Sequence, residues 1–273
     1  MLFRSIPYGF SYRRAQSLNE AVALLQKSPE AKLLAGGQTL VTTMKARLAN
    51  PAELIDIGQI RELSFIRGDS GAIIIGAATT HASVAESAAV KSAIPALAIL
   101  AHQIGDPAVR HMGTLGGSVA NNDPAADYPA AVLALGATIT TTARSIAADD
   151  FFTGMFATAL AEDEIISEIR FPVPEKAGYA KFPNPASRYA MTGVFVARTK
   201  DGVRVAVTGA GPCVFRVAEM EAALAANFAP AAVENIRIDP TDLNSDIHGS
   251  AEYRANLVTV MAKRAVAQAL GSS

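Results

Sequence analysis

The sequence predicts an α+β protein with a large N-terminal domain and a small C-terminal domain of antiparallel strands and helices. Three observations predict it. At 273 residues, 50% of them apolar, the chain exceeds one ordinary domain and can bury sizeable cores. Four prolines, Pro172, Pro174, Pro183 and Pro185, crowd together after a long stretch of alternating strand and helix patterns, as at a domain boundary or crossover. Beyond them a strand–turn–strand pattern precedes helices, the order of a separate α+β unit.

Each element has a local reason. Ser17-Leu18-Asn19-Glu20 is a capping box, and Leu18, Ala21, Val22 and Leu25 share one helical face after it. Residues 32–35 read as a buried strand running into Gly36-Gly37. Leu40, Met44 and Leu48 fall at helical spacing and predict a helix ending before Pro51, followed by a short strand over 53–57. The runs 63–66 and 72–75 flank Gly68-Asp69-Ser70-Gly71, a hairpin signal. Helices are predicted over 80–86 and 94–104, the second leading into a long loop that carries Gly116-Gly117. A helical run over 129–135 and strands over 137–142 and 165–171 complete this part. The proline-rich stretch predicts broken backbone. After it, 194–198 and 203–207 form a hairpin around Lys200-Asp201-Gly202, with helices at 217–225 and 251–270. The last helix carries Tyr253, Leu257, Val260, Met261 and Val266 on one side.

Composition narrows the function. The net charge is −1, with 24 basic and 25 acidic residues, and no basic run exceeds Arg13-Arg14, which argues against nucleic acid or an anionic membrane as partner. The longest apolar stretches, 93–101 and 130–139, fall short of the roughly 18 residues a membrane span needs. The start, Met-Leu-Phe-Arg-Ser-Ile-Pro-Tyr, has no signal-peptide pattern, so a cytoplasmic location is expected. Cys213 is the lone cysteine, a small buried hydrophobe by expectation, so the chain offers no thiolate set for an iron–sulfur cluster or zinc. His81, His102, His111 and His248 have no metal-ligand spacing, and no metal site is expected. Redox chemistry on this chain would need an organic cofactor.

The two glycine pairs carry the chemistry. Glycine lets backbone N–H groups crowd against an oxyanion, and each pair is followed by hydroxyl or amide side chains: Gln38 and Thr39 after the first, Ser118 and Asn121 after the second. Either pair alone reads equally as a tight turn. Together they suit a diphosphate, with the N–H groups of Gly36, Gly37, Gln38 and Thr39 on one side and Thr114, Gly116, Gly117 and Ser118 on the other. Neither is a GxGxxG or a Walker loop, since a third glycine, the distal acid and the GK[ST] triplet are missing. Asn121 and Asp127 offer a donor and an acceptor for sugar hydroxyls, and Asp127 also reads as a helix N-cap.

At this point a family resemblance becomes specific. Ala35-Gly36-Gly37-Gln38-Thr39-Leu40, Met44-Lys45-Ala46-Arg47-Leu48 and Leu54-Ile55-Asp56-Ile57 resemble the FAD-binding (medium) subunit of molybdenum hydroxylases, the carbon monoxide dehydrogenase and xanthine dehydrogenase family. The match continues through Ile75-Gly76-Ala77-Ala78-Thr79-Thr80-His81, Ile104-Gly105-Asp106-Pro107-Ala108-Val109-Arg110, the Thr-x-Gly-Gly loop and Asp123-Pro124-Ala125-Ala126-Asp127. Thr208-Gly209-Ala210-Gly211 and Ser250-Ala251-Glu252-Tyr253-Arg254 extend it to the C-terminal domain.

The resemblance implies a two-lobed FAD-binding domain of the PCMH (vanillyl-alcohol oxidase-like) type over 1–175, with lobes of about 1–58 and 59–175, and a C-terminal domain over 176–273. Leu33, Ala35, Gly36, Gly37, Gln38, Thr39 and Leu40 would hold the pyrophosphate with Thr114, Gly116, Gly117 and Ser118, while Gly113, Asn121 and Asp127 lie nearby. Ile104, Ile165 and Ile166 would pack beside the flavin, or else be plain core. Lys181 would lie at the polar edge of the ring, or be an exposed linker lysine. Gln38 stands where some relatives have His, which rules out attachment through this position and implies dissociable FAD. Arg188 stands where many relatives have an acid, and Tyr189 remains to flank the flavin. The implied partners are a small subunit with [2Fe-2S] clusters and a large molybdopterin subunit, in a dimer of heterotrimers, with an external electron acceptor. The docking edge would lie around Met112-Gly113 or in the proline-rich crossover. Two other readings stay open: a stand-alone FAD-dependent oxidoreductase using His81, His111 or Tyr189, and a non-catalytic nucleotide-binding module.

Overall fold

The computed structural model describes residues 6–271. The first lobe holds β1 (Ser11–Arg14), α1 (Leu18–Lys27), β2 (Ala31–Leu34), α2 (Leu40–Lys45) and β3 (Glu53–Asp56). Its strands form a parallel sheet in the order β1-β3-β2, with Ile55 opposite both Arg13 and Leu33. The capping box forms: Ser17 accepts from the Glu20 N–H at 3.2 Å, while the Glu20 carboxylate accepts from the N–H of Gln16 at 2.7 Å. Ala21 and Leu25 of α1 pack with Ile55, Ile57 and Leu63. The second helix is shorter than its apolar spacing predicts. Arg47 adopts a positive φ of 60° and ends it, which leaves Leu48 82% exposed instead of on a buried face.

The second lobe starts with β4 (Ile66–Asp69) and β5 (Ala72–Gly76), the predicted hairpin shifted by a few residues because residues 61–63 form a 3₁₀ turn. Six helices follow: α3 (His81–Glu86), α4 (Ala88–Ala93), α5 (Pro95–His102), α6 (Pro107–Met112), α7 (Leu115–Asn121) and α8 (Tyr128–Ala134). The stretch expected as one long glycine loop is therefore largely helical. Asp106 caps α6 through the Val109 N–H at 2.9 Å, and Thr114 caps α7. β6 (Thr138–Thr141), β7 (Ser145–Ala147), α9 (Ala148–Phe151), the small hairpin β8 (Phe152–Gly154) and β9 (Ala157–Thr158), and β10 (Ile166–Pro172) complete the lobe. Its main sheet is antiparallel in the order β4-β5-β10-β6-β7.

The proline-rich stretch is not broken backbone. Between Pro172, which ends β10, and Pro185 runs β11 (Lys176–Pro183), the first strand of a four-stranded antiparallel sheet with β12 (Ala190–Thr199), β13 (Gly202–Thr208) and β14 (Phe215–Arg216). Prolines at strand ends donate no ladder bond and so are tolerated there. α10 (Ala218–Ala226) and α11 (Ala251–Ala269) cover one face of this sheet. Val194 and Val196 point to those helices, while Phe195 and Ala197 join the core of the second lobe. The apolar run Val194–Ala197 of β12, alternating between the two faces, thus binds two cores together.

Candidate cofactor cleft

A cleft of about 1010 Å³ runs between the first two lobes. Every residue marked from the sequence as cofactor-binding lines it, except Lys181. Ser187, Arg188 and Tyr189, in the connection between β11 and β12, also line it.

The two glycine loops meet in this cleft, backbone against backbone. A Cβ on Gly36 would overlap the carbonyl oxygen of Met112 and lie 2.7 Å from the Cα of Gly113. Only a glycine fits that crossing. Gly37 turns at φ +71°, a conformation that other L-residues adopt at a cost of about 1–2 kcal/mol. Among the described residues, the N–H groups of Gly36, Gly37, Gln38 and Thr39 have no protein acceptor, while the carbonyls of Gly37 and Thr39 start α2 at 3.1 and 3.0 Å. Four successive free donors remain, aimed ahead of a helix start.

The second loop differs from expectation. Its glycines occupy the first turn of α7, and its N–H groups are committed. Leu115 donates to Thr79 O at 3.0 Å, Gly116 to Ala77 O at 2.8 Å, and Gly117 to Thr114 Oγ1 at 3.2 Å. Ser118 donates to Thr114 O at 3.0 Å. Gly116 is needed for packing, since a Cβ there would lie 2.8 Å from the Ala77 carbonyl oxygen. What this loop offers the cleft are side chains: the Ser118 hydroxyl and the Asn121 amide make no hydrogen bond to another described residue. Behind it, His81 packs its Nε2 against Gly113, and its Nδ1 is buried without a partner. Burial, with the nearby Arg110 charge, pushes the His81 imidazole down to about 4, so it is neutral at physiological pH.

Asp127 occupies the N-cap position of α8 but makes no capping bond, contrary to that alternative. Its Oδ1 accepts from Tyr179 Oη at 2.5 Å and faces Lys181 Nζ at 2.8 Å. Lys181 also donates to the Gln103 carbonyl at 2.9 Å, and its side chain is 3% exposed. It is therefore neither an exposed linker lysine nor a wall of the cleft. Burial pushes the Asp127 carboxyl above its usual range, opposed by Lys181 and Tyr179.

The cleft also has apolar lining residues: Ile104, Leu160, Ile165, Ile166 and Phe156. Leu160 and Phe156 escape a sequence reading. Phe156 sits at φ +53° at the tip of the β8–β9 hairpin, held from behind by Asn122, whose Nδ2 donates to the carbonyls of Gly154 and Ala157 at 2.8 Å each. Glu164 fixes the approach to Ile165. It accepts from Thr141 Oγ1 at 2.6 Å, from the Ala161 N–H at 2.9 Å and from Arg144 Nε at 3.1 Å. The Arg144 guanidinium, first among these partners, holds its carboxyl down at about 2. Tyr189, half-exposed, leans over the cleft beside Thr39; burial and then the Asp123 charge raise its phenol above the ordinary value. Arg188 before it takes φ +62°, its N–H bonded to Asn184 O at 2.9 Å.

Free backbone donors, hydroxyl and carboxylate groups and apolar side chains in one cleft fit a dinucleotide with a flat ring system. The arrangement defines a two-lobed nucleotide-cofactor protein. Residues 8–174 match the family described as the FAD binding domain in molybdopterin dehydrogenase, and the chain belongs to that family. It is 36% identical over 278 residues to the carbon monoxide dehydrogenase medium chain of Hydrogenophaga pseudoflava, covering 96% of this chain and 97% of that one. The nicotine 6-hydroxylase medium subunit of Paenarthrobacter nicotinovorans is 35% identical over 273 residues, with 94% and 96% covered. A solved structure of the Hydrogenophaga pseudoflava carbon monoxide dehydrogenase lacking the Mo-pyranopterin moiety superposes with a TM-score of 0.89, covering 98% of this chain and 99% of that one at 36% identity. The chain is thus an oxidoreductase component of the molybdenum hydroxylase type. No helix among the described residues is long and apolar enough to cross a membrane.

Proposed function

We propose that this chain is the flavin-carrying subunit of a heteromeric molybdenum hydroxylase. It holds FAD without a covalent bond, receives electrons from [2Fe-2S] clusters of a small partner subunit, and delivers them to an external acceptor. A large molybdopterin subunit oxidises the substrate, and two such heterotrimers associate. The single observation that carries the reading is the row of N–H groups at Gly36–Thr39 with no acceptor among the described residues, in a cleft that also has apolar lining. Gln38 supplies no nucleophilic nitrogen, which supports dissociable binding. The C-terminal domain is taken from residue 176.

The stand-alone enzyme reading has little to draw on: of its candidates only Tyr189 stands open in the cleft, and burial raises its phenol above the ordinary value, while His111 does not line the cleft. His81 is buried and neutral, and the Nδ1 of His111 lies 2.7 Å from the Pro107 carbonyl oxygen. The test is reconstitution of the purified full chain with FAD. The expected result is quenched, flavin-coloured protein that releases its FAD on denaturation and is reduced by substrate only when both partner subunits are added. A chain that takes up no flavin, or keeps it after denaturation, overturns the proposal. So does reduction by substrate without partners.

A further inference from the structure

Strand β1 is one edge of the first lobe's sheet, and all four of its residues are exposed. Its ladder uses alternate residues: the Ser11 N–H donates to Ala52 O at 2.9 Å and the Ala15 N–H to Asp56 O at 3.0 Å, both on the β3 side. In a parallel ladder of this register the N–H and C=O groups of Tyr12 and Arg14 point the other way, where no described strand pairs with them. Aromatic side chains accompany the open edge. Tyr8, Phe10 and Tyr12, at alternate positions, are each between 41% and 48% exposed. The row is held in place. Arg47 sets its guanidinium over the Tyr8 ring, 4.7 Å from the centroid, and donates to the Ile6 carbonyl at 3.4 Å. Tyr12 Oη donates to Asp56 Oδ2 at 2.5 Å and accepts from Arg14 Nε at 3.4 Å. An edge guarded against pairing carries charge, whereas exposed tyrosine, phenylalanine and arginine together are what protein–protein contacts favour.

Charge identifies the occupant. Arg13, Arg14 and Arg47 border the row, and Arg47 makes no ion pair among the described residues. The acids beside them, Glu53 and Asp56, have side chains only 9% and 13% exposed and are already engaged by Arg13, Arg14 and Tyr12. The accessible charge is therefore positive. A second copy of this chain would bring guanidinium against guanidinium, which like-charge repulsion opposes. We propose that the open β1 edge and its aromatic row seat a partner subunit through an extended, carboxylate-bearing segment. That segment pairs with Tyr12 and Arg14 as a fourth strand and sets an acidic side chain against Arg47. The inference rests on the heteromeric reading above. β2, at the other edge of the sheet, lines the cleft and β1 does not, so this contact serves assembly rather than cofactor binding.

The experiment compares the full chain alone with the chain assembled with its small and large partner subunits, by amide hydrogen exchange and by sedimentation. In the isolated chain the N–H groups of Tyr12 and Arg14 should exchange freely while those of Ser11 and Arg13 are protected; in the complex all four should be protected. Two variants follow. Arg47→Gly suits the left-handed backbone at φ +60° and removes the guanidinium; Phe10→Ser removes one ring from the row. Both should fold and take up FAD as the wild type does, and each should weaken assembly about tenfold. The loss in Arg47→Gly should shrink as salt rises from about 50 to 500 mM, because it is electrostatic. Wild-type assembly in both variants overturns the proposal, as do Tyr12 and Arg14 amides that stay unprotected in the complex. A wild-type chain that dimerises by itself through this edge overturns it too, since the occupant would then be a second copy. Failure of the wild type to assemble with either subunit would instead refute the heteromeric reading.

Discussion

The two glycine pairs look alike in sequence and do opposite work. At Gly36-Gly37 the backbone donors are left unpaired and the glycines allow a positive φ and a backbone crossing. At Gly116-Gly117 the donors are bonded to Ala77 and Thr114, and the missing Cβ serves close packing on β5's continuation. The first loop is built to receive a ligand, and the second is built to be rigid beneath it. A glycine pair therefore announces a close approach, and only the fate of its N–H groups says whether a ligand or the protein itself is approaching.

Variants sharpen that contrast. The largest effect is expected for Gly36→Val, whose side chain collides with Met112 and Gly113 and parts the two loops. FAD affinity should fall more than about a hundredfold, near 3 kcal/mol, in a fluorescence titration. Gly116→Val should instead weaken the apoprotein, by about 1–3 kcal/mol through overpacking on Ala77, visible in urea unfolding before any cofactor is added. Gly37→Val should cost the apoprotein about 1–2 kcal/mol of backbone strain and weaken FAD binding about tenfold, because the loop's donors lose their aim. If both variants lose apoprotein stability equally and bind FAD equally, the two loops have one role.

A pH series separates the loops by another route. His81, against Gly113, has an imidazole held down at about 4 from an ordinary 6.5, so the unfolded chain takes up a proton before the folded one does. Stability is then intact above pH 6.5 and declines as pH falls toward 4, with a slope of at most about 1.4 kcal/mol per pH unit. Urea unfolding should show this loss in wild type and not in His81→Gln. Glu164 acts lower: its carboxyl is held down at about 2 from 4.5, so its contribution is lost as pH falls from 4.5 through 2. The smallest effect is expected for Thr114→Ala, about 1 kcal/mol for a lost helix cap, with the Gly117 N–H freed and FAD affinity unchanged within a factor of a few.

Much of the fold was legible because its signals are local. The Ser17 capping box, the β4–β5 hairpin and the alternating β12–β13 pair each depend on neighbours a few residues away. Elements were lost where a local signal was masked. Lys176–Pro183 forms a full strand, but prolines on both sides suggested broken backbone. Asp106-Pro107 is a good helix start, yet α6 was absorbed into an expected glycine loop. In the site, the loop residues could be read directly, since glycine and hydroxyl side chains state their purpose in sequence. The partners of Asp127 could not. Tyr179 and Lys181 arrive on β11, more than fifty residues along the chain, and nothing near Asp127 distinguishes a carboxylate gripped by distant donors from an ordinary N-cap. Phe156 was equally hidden, because its positive φ is imposed by Asn122 rather than by its own chemistry.

Amide hydrogen exchange of the full chain, with and without saturating FAD, tests the contrast between the loops most directly. The N–H groups of Gly36, Gly37, Gln38 and Thr39 should exchange rapidly in the apoprotein and become protected on FAD binding, while those of Leu115 to Ser118 should be protected in both states. Protection that appears only at Leu115–Ser118, with Gly36–Thr39 unchanged by FAD, would contradict the account.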